Sequence, residues 1–206
     1  MPGGGLPTTP EWSAYYDAVE EREPREFLTE ALGMVTAVGS AVDLGCGDGT
    51  ETAELLRRGW RVLAIDAEAD AIRRLRGRVA PADAARLETR TARFEDLGPL
   101  PGVDLVHAEW SLPFCSPASF PALWASVVGA LHAGGVFAGQ FFGDRDSWAS
   151  EPDMTFHTEA QARELLSPLE TLALREEEND DTDALGNPKH WHVFHVIARS
   201  PGVRET

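Results

Sequence analysis

The chain has 206 residues, with 18 Lys+Arg against 34 Asp+Glu and a net charge of −16. Its length and its 43% hydrophobic content fit one folded domain and exclude disordered and collagen-like proteins. The acidic balance disfavours a nucleic-acid partner, because phosphate backbones owe much of their protein affinity to Lys and Arg. We interpret the basic run of Arg73, Arg74, Arg76 and Arg78 as a solvated helix face.

The start of the chain has no basic segment followed by an apolar one, so we expect no signal peptide. No apolar run approaches the roughly 18–20 residues that cross a bilayer. The two cysteines, Cys46 and Cys115, belong to no CxxC pair or Cys/His cluster, so no disulfide framework or zinc site is predicted. We expect a cytoplasmic protein without a membrane partner or a metal.

Short apolar runs alternate with amphipathic stretches along most of the chain. Thr9 and Pro10 predict a helix through about residue 19, and a second helix is expected over 24–32. The later predicted helices cover 51–58, 69–79, 117–131 and 158–166. The predicted strands cover 41–44, 61–65, 86–91, 103–108, 136–142, 169–175 and 191–198. Alternating strands and helices indicate an α/β fold with a mostly parallel sheet.

The last two predicted strands are separated by an acidic stretch, residues 176–189. It carries six acids and a Gly-Asn-Pro turn, which is typical of a hairpin connection rather than a crossover helix. The last strand is therefore expected to be antiparallel, and its beginning is expected at the sheet edge where the parallel strands end.

A glycine-rich loop follows the first predicted strand. Asp43 lies on the strand, and Gly45, Gly47 and Gly49 follow it as G-x-G-x-G. Glycines there permit positive φ and let a ligand approach the backbone. Asp66 ends the second strand, where a carboxylate can accept hydrogen bonds from both hydroxyls of a ribose. Together these residues indicate an adenosine-containing ligand.

The glycine spacing distinguishes between such ligands. A dinucleotide site has G-x-G-x-x-G around a pyrophosphate, whereas this loop has a different spacing and an acid beside it. A buried carboxylate suits a cationic ligand, such as a sulfonium with an α-amino group. The structural alternative is a cluster of turn glycines with a capping aspartate.

The run from Asp43 to Gly49, followed by Asp66, resembles the signature of class I S-adenosylmethionine-dependent methyltransferases. Residues 104–106 and 111–114 resemble that family's fourth strand and motif, and 131–137 resemble the segment leading into its fifth. Residues 12–16, 142–148 and 189–194 are similar to small bacterial methyltransferases of the tellurite-resistance-like type.

This resemblance implies a Rossmann-like α/β fold. The expected sheet has seven strands, mostly parallel with an antiparallel last strand, and helices on both faces. The expected organisation is a single methyltransferase domain, with an N-terminal helical cap over 1–36 that forms a lid and a core over 37–200.

The resemblance also assigns cofactor roles for S-adenosylmethionine. The glycine loop would pack under its methionine portion, Asp66 would hold the ribose, and Phe94 and Glu95 would contact the adenine. Glu109 stands where many relatives have a small polar residue. The residues expected to bind the cofactor are Asp43, Gly45, Cys46, Gly47, Asp66, Ala67, Phe94, Glu95, Ala108 and Glu109.

Methyl transfer from a sulfonium is an in-line substitution, so the enzyme mainly supplies alignment and exclusion of water. If a base is needed, His190 is our first candidate, since an imidazole suits proton removal at neutral pH. Trp110 and Trp148 are predicted to contribute to an aromatic acceptor pocket, with Trp12 and Phe114 as further candidates. Alternatively, these side chains only pack the strand edge or the core.

Three residues near the N-terminus, Tyr15, Tyr16 and Arg25, are candidates for a lid, with Arg25 meeting the cofactor carboxylate or forming a surface salt bridge. His107 is interpreted as a strand-core histidine.

We therefore predict S-adenosylmethionine-dependent transfer to an O or N atom of a small molecule, by a monomer or homodimer. The alternatives are a non-catalytic binder of S-adenosylmethionine or S-adenosylhomocysteine and a nicotinamide-dependent oxidoreductase.

Overall fold

A computed structural model describes residues 9–19 and 22–202. Its helices are α1 (Thr9–Val19), α2 (Glu26–Leu32), α3 (Thr50–Arg57), α4 (Ala69–Arg78), α5 (Phe120–Ala130) and α6 (Glu159–Leu165). Its strands are β1 (Ser40–Leu44), β2 (Arg61–Asp66), β3 (Leu87–Thr91), β4 (Val103–Ala108), β5 (Leu131–Gly143), β6 (Phe156–His157), β7 (Glu170–Thr182) and β8 (Pro188–Arg199). None of the helices in this part of the chain has the length and apolar character that crossing a membrane requires.

The strands form one sheet in the order β3-β2-β1-β4-β5-β8-β7, with the short β6 paired to β5. The strands from β3 to β5 run parallel, with Val42 beside Leu63 and beside Val106 in register. β8 runs antiparallel to both β5 and β7. The chain order reverses direction at β1 and β4, so a ligand crevice is expected at their carboxyl ends.

Successive side chains along a strand point to opposite faces of the sheet, and both faces are buried. Val42 and Leu44 face one apolar cluster, which α5 and α6 cover, and Ala41 faces a second cluster, which α2, α3 and α4 cover. A parallel sheet with helices on both sides needs such two-sided burial. The predicted Rossmann-like fold with helices on both faces is confirmed.

The acidic stretch near the C-terminus differs from its prediction. Residues 176–182 continue β7 and pair with β8, so the connecting turn covers only 183–187. Glu, Asn and Asp are rare in strands, which favoured a loop in the sequence, but pairing with β8 overrides that preference. β7 is an edge strand, and exposed charges on an edge oppose pairing with other chains.

Two further features of the sheet differ from the prediction. β5 begins at Leu131, directly after α5, rather than near residue 136, because the chain leaves the helix already extended and then passes a register irregularity opposite β4. β6 adds an eighth strand to the seven predicted, and its two residues are too few for a sequence pattern.

Both predicted N-terminal helices are present over the described residues. α2 packs its buried Phe27, Leu28 and Ala31 against the sheet. α1 lies across the carboxyl ends of the strands, where Ser13 donates a hydrogen bond to Asp70 at 3.2 Å. These contacts place α1 over the crevice at β1 and β4.

Candidate active site

The glycine loop after β1 forms the floor of a polar cavity. Gly45, Gly47 and Gly49 have φ values of 70°, 54° and 86°, in the left-handed region that favours glycine. A Cβ on Gly45 would lie 2.3 Å from the Cβ of Ser111, whose hydroxyl donates to the Leu44 carbonyl. The loop therefore needs glycine both for its backbone angles and for its close approach to the segment after β4.

Asp66, at the end of β2, is a buried carboxylate that faces this cavity. It accepts hydrogen bonds from the backbone N–H groups of Gly47 and Glu68, both at 2.9 Å. Burial raises the pKa of Asp66, although these two hydrogen bonds oppose that shift. The Tyr16 hydroxyl lies 3.5 Å from the same carboxylate. Asp66 thus ties the glycine loop to the second strand.

Three buried ionisable side chains form a row across β1 and β4. Nδ1 of His107 lies 3.0 Å from Asp43, and its Nε2 lies 3.4 Å from Glu109. Burial alone would lower the pKa of His107, but Asp43 and Glu109 raise it to about 10. His107 is therefore an imidazolium at neutral pH, held between two carboxylates.

This row leaves polar atoms available to a ligand. His107 Nε2 and Glu109 Oε2 are buried and have no hydrogen bond of good geometry, although they lie 3.4 Å apart. Both residues line the polar cavity. A buried polar atom without a partner is costly, so this arrangement suits a ligand that carries a hydrogen-bond donor, such as an ammonium group, beside Glu109.

Two arginines close the N-terminal side of the polar cavity. Arg22 forms an ion pair with the buried Glu51, and Arg25 lies 3.8 Å from both Glu51 and Glu109. Burial would raise the pKa of Glu51, but the Arg22 pair lowers it to about 2. The acids lining this cavity outnumber its arginines and its histidine, which favours a ligand with cationic groups over a pyrophosphate.

A second cavity, the aromatic cavity, adjoins the first. Five residues line both cavities and so mark where they meet: Trp12, Tyr15, Arg25, Trp110 and Phe114. The remaining residues of the aromatic cavity come from β5 and β8, from the loop after β5 and from the turn after β7. They are Phe142, Trp148, Asp183, Ala184, Leu185 and Trp191.

Trp110 has an unusual backbone at the junction of the two cavities. Its φ is 57°, in the left-handed region, which costs a bulky residue on the order of 1–3 kcal/mol. Its N–H donates to the buried Gln140 side chain at 2.8 Å, which helps to hold this conformation. The Trp110 ring packs edge-on against Trp191, with centroids 5.4 Å apart.

Lys189 is a buried cation behind the wall of the aromatic cavity. Its ammonium pairs with the buried Asp146 and lies 3.7 Å from the ring centroid of Trp148 and 4.3 Å from that of Trp191. Burial lowers the pKa of Lys189, and the Asp146 partner opposes that shift. Sequence reasoning missed Lys189, because a lone lysine beside a turn gives no local signal of burial.

Most of the residues predicted to bind a cofactor line the polar cavity. They are Asp43, Gly45, Cys46, Gly47, Asp66, Ala67, Phe94, Glu95 and Glu109. Ala108 does not line the polar cavity: it is fully buried in the core between sheet and helices. Trp110 and Trp148 both line the aromatic cavity, together with Trp12 and Phe114.

The structure places His190 away from both cavities. Side chains alternate along β8, so Lys189 and Trp191 face the aromatic rings while His190 faces the other side. There its Nδ1 lies 2.7 Å from Asp180, and hydrogen bonds with Asp180 and Glu178 raise its pKa. At this position the His190 ring lines neither the polar nor the aromatic cavity.

Sequence reasoning underestimated His107 and the arginines. His107 is buried, as expected of a core histidine, but it also lines the polar cavity. Arg22 was not considered because the pairing with Glu51 spans 29 positions. Three arginines of α4 pair within the chain, Arg73 and Arg74 with Asp70 and Arg78 with Asp48.

Comparison with known proteins gives one family match. Residues 41–135 match the family described as "Methyltransferase domain". This segment runs from β1 to the start of β5 and contains the glycine loop, Asp66 and Glu109. No curated protein is similar enough in sequence to count as a relative.

Solved structures with a similar fold are distant in sequence. TehB from Haemophilus influenzae is 16% identical with a TM-score of 0.74, covering 92% of this chain and 67% of TehB. The N-methyltransferase NodS from Bradyrhizobium japonicum, in complex with S-adenosylhomocysteine, is 16% identical with a TM-score of 0.69, covering 92% of this chain and 98% of NodS. A Burkholderia thailandensis 1,6-didemethyltoxoflavin-N1-methyltransferase is 20% identical with a TM-score of 0.66, covering 97% and 93%.

The polar cavity fits S-adenosylmethionine by its own chemistry. The glycine loop offers a cradle that a Cβ would fill, Asp66 offers a carboxylate for hydroxyls, and the unpartnered oxygen of Glu109 suits an ammonium. The family match identifies residues 41–135 as a methyltransferase domain, and the polar cavity, which many of these residues line, fits S-adenosylmethionine.

Proposed function

We propose that this enzyme methylates an N or O atom of a small molecule by in-line substitution. The observation that carries the proposal is the junction of the two cavities at Trp12, Tyr15, Arg25, Trp110 and Phe114. A cofactor in the polar cavity and an acceptor in the aromatic cavity would meet there. In-line transfer requires the acceptor atom and the leaving sulfur on opposite sides of the methyl group.

The cofactor roles follow from the polar cavity. Asp66 would accept hydrogen bonds from the ribose, Phe94 would pack against the adenine, and Glu95 would approach its polar edge. Glu109, with the imidazolium of His107 beside it, would accept from the amino group, and Arg25 would face the carboxylate. When bound, S-adenosylmethionine supplies an electrophilic methyl group on a sulfonium.

The residues at the junction would act by alignment and by excluding water. α1 covers the cavity with Trp12, Tyr15 and Tyr16, whose rings pack at centroid distances of 5.7–6.2 Å. Trp110 and Trp148 would position the acceptor. A neutral amine acceptor attacks before it loses a proton and releases that proton to water afterwards, so methylation at N does not require His190 as a base; a hydroxyl acceptor would have to pass its proton to water or to a base.

Two measurements test the proposal. Calorimetry should detect S-adenosylhomocysteine binding to the purified protein, and incubation with S-adenosylmethionine and a panel of small amines, phenols and heteroaromatics should yield a product heavier by one methyl group. Binding without turnover on any of these nucleophiles would favour the non-catalytic binder. NADH binding in place of S-adenosylhomocysteine would favour the oxidoreductase.

A further inference from the structure

The aromatic cavity has a composition that restricts its ligand. Its walls carry four tryptophans, two phenylalanines and Tyr15. The rings meet mostly edge to face, as Trp12 and Phe114 do at 77° and Trp110 and Trp191 at 74°. Ring faces and edges at mixed angles favour a planar aromatic guest, which can stack on one ring and meet the edge of another.

The rim of this cavity exposes an apolar side chain. Leu185, on the turn after β7, is 48% exposed and lines the cavity. Val38 is the other large apolar residue exposed among the described residues, and it does not line this cavity. An apolar ligand seated in the cavity would cover part of Leu185.

An aromatic cage of this kind ordinarily attracts cations. Here the cation is the chain's own, because the ammonium of Lys189 lies over Trp148 and Trp191. It is also 5.5 Å from the ring centroid of Phe142. Asp146 pairs with Lys189, so the cage holds one positive charge with its counterion. Because Lys189 already lies over these rings, a second cation would find the ring faces that attract cations occupied.

The charged side chains near the aromatic cavity also form hydrogen bonds or ion pairs with other groups of the chain. Asp183 accepts from the backbone N–H groups of Leu185 and Asn187, both at 2.9 Å. Arg25 lies between Glu51 and Glu109. The acids of β7 contact Arg145, His190, His192 and His195. Of the six acids in residues 176–189, only Asp183 lines the aromatic cavity, and its carboxylate is held by the backbone of the turn.

We propose that the methyl acceptor is a neutral, planar aromatic molecule, and that Lys189 is a positioning residue that excludes cationic aromatics. This inference rests on the proposed function, because it assigns the aromatic cavity to the acceptor. Lys189 acts through Trp148 and Trp191: it holds their rings in place and occupies their attraction for positive charge.

Binding to the complex with S-adenosylhomocysteine tests the proposal with two matched pairs of probes. Quinoline and N-methylquinolinium share a two-ring skeleton and differ in charge. 2-Naphthol and decahydro-2-naphthol share a carbon skeleton and differ in planarity. By calorimetry we expect quinoline and 2-naphthol to bind about ten-fold more tightly than their counterparts.

A double variant, Asp146→Asn with Lys189→Met, isolates the role of the buried cation. It removes both charges together, because removing Lys189 alone would leave an uncompensated buried carboxylate. N-methylquinolinium should then bind within about three-fold of quinoline, because the cage regains its attraction for cations. The matched control replaces the exposed pair Arg145 and Glu178 by Arg145→Met and Glu178→Gln, and should keep the wild-type preference.

Each outcome separates this inference from the function on which it rests. If S-adenosylhomocysteine does not bind, the proposed function fails first. If it binds but N-methylquinolinium or decahydro-2-naphthol binds the wild type as tightly as its partner, the acceptor class is wrong while the methyltransferase assignment stands. If the double variant folds by its melting curve and still rejects N-methylquinolinium, the role given to Lys189 is wrong. Should the double variant not fold, the wild-type probe pairs still decide the acceptor class.

Discussion

The polar cavity and the aromatic cavity adjoin, but they differ in where their charged side chains lie. The polar cavity has carboxyl side chains at its surface, including those of Asp66 and Glu109. The aromatic cavity keeps its charged pair, Lys189 and Asp146, behind the rings. The first suits a ligand with fixed charges, and the second suits one that is recognised by shape and ring contacts. Under the proposed function, this fold would hold the cofactor and a chemically different acceptor side by side.

Among the substitutions that would test this difference between the cavities, the largest effect is expected at Asp66. Asp66→Ala removes the carboxylate proposed to hold two ribose hydroxyls and releases the Gly47 amide. With about 1.5–3 kcal/mol for each charged hydrogen bond, affinity for S-adenosylhomocysteine should fall by about 100-fold or more in calorimetry. Asp96→Ala, an exposed acid outside the polar cavity, serves as the control and should bind like the wild type. Equal affinities for the two variants would remove Asp66 from the site.

The row formed by Asp43, His107 and Glu109 should make the stability of the folded protein depend on pH. The pKa of His107 rises from 6.5 to about 10 on folding, so its protonated form stabilises the folded state. That contribution is complete below about pH 6.5 and is lost as pH rises through about 10. His107→Gln should lower the free energy of unfolding by about 3 kcal/mol at low pH, and by less as the pH approaches the folded-state pKa.

Denaturant unfolding across that pH range measures this difference. His132→Gln is the matched control, because the pair of His132 with Asp104 is exposed and should contribute less than about 1 kcal/mol. A gap between wild type and His107→Gln that does not change with pH would show that His107 is not an imidazolium in the folded protein.

A substitution in the aromatic cavity should weaken binding of the acceptor without changing the affinity for the cofactor product. Trp191 lines only this cavity, so Trp191→Leu should weaken 2-naphthol binding by about ten-fold and leave the affinity for S-adenosylhomocysteine unchanged. Both affinities come from calorimetry on the same preparation. A loss of both would mean that Trp191 supports the whole site rather than one cavity.

The polar cavity was largely predictable because its signals are local. Asp43, the three glycines and Asp66 stand at the ends of adjacent strands, and a glycine loop leaves a readable spacing in the sequence. The mostly parallel sheet was predicted from the alternation of strands and helices, whereas the order of the strands in it was not predicted. Ala108 ends β4 but is buried in the core and does not line the polar cavity, and alternation alone does not tell which side of a strand faces a ligand.

The aromatic cavity was only partly predictable, since long-range contacts build it. Trp110, Trp148 and Trp191 lie far apart in the chain, and the pairing of Lys189 with Asp146 spans 43 positions. No local pattern distinguishes a buried lysine from an exposed one. The extent of β7 was missed for a related reason: only its pairing with β8 makes so acidic a segment a strand.

The smallest effect is expected at His190, one residue from Trp191. His190→Gln removes a ring that faces Asp180 and Glu178 on the exposed side of β8, so turnover and acceptor affinity should stay within about two-fold of the wild type. Initial rates across a pH series make the measurement. A fall in kcat together with a lost ionisation in the pH profile would restore His190 as the base and would require the hairpin to turn its other face toward the acceptor. If the substitution at His190 changes neither turnover nor acceptor affinity, and the substitution at the adjacent Trp191 weakens acceptor binding, the two results together establish which face of β8 forms the wall of the aromatic cavity.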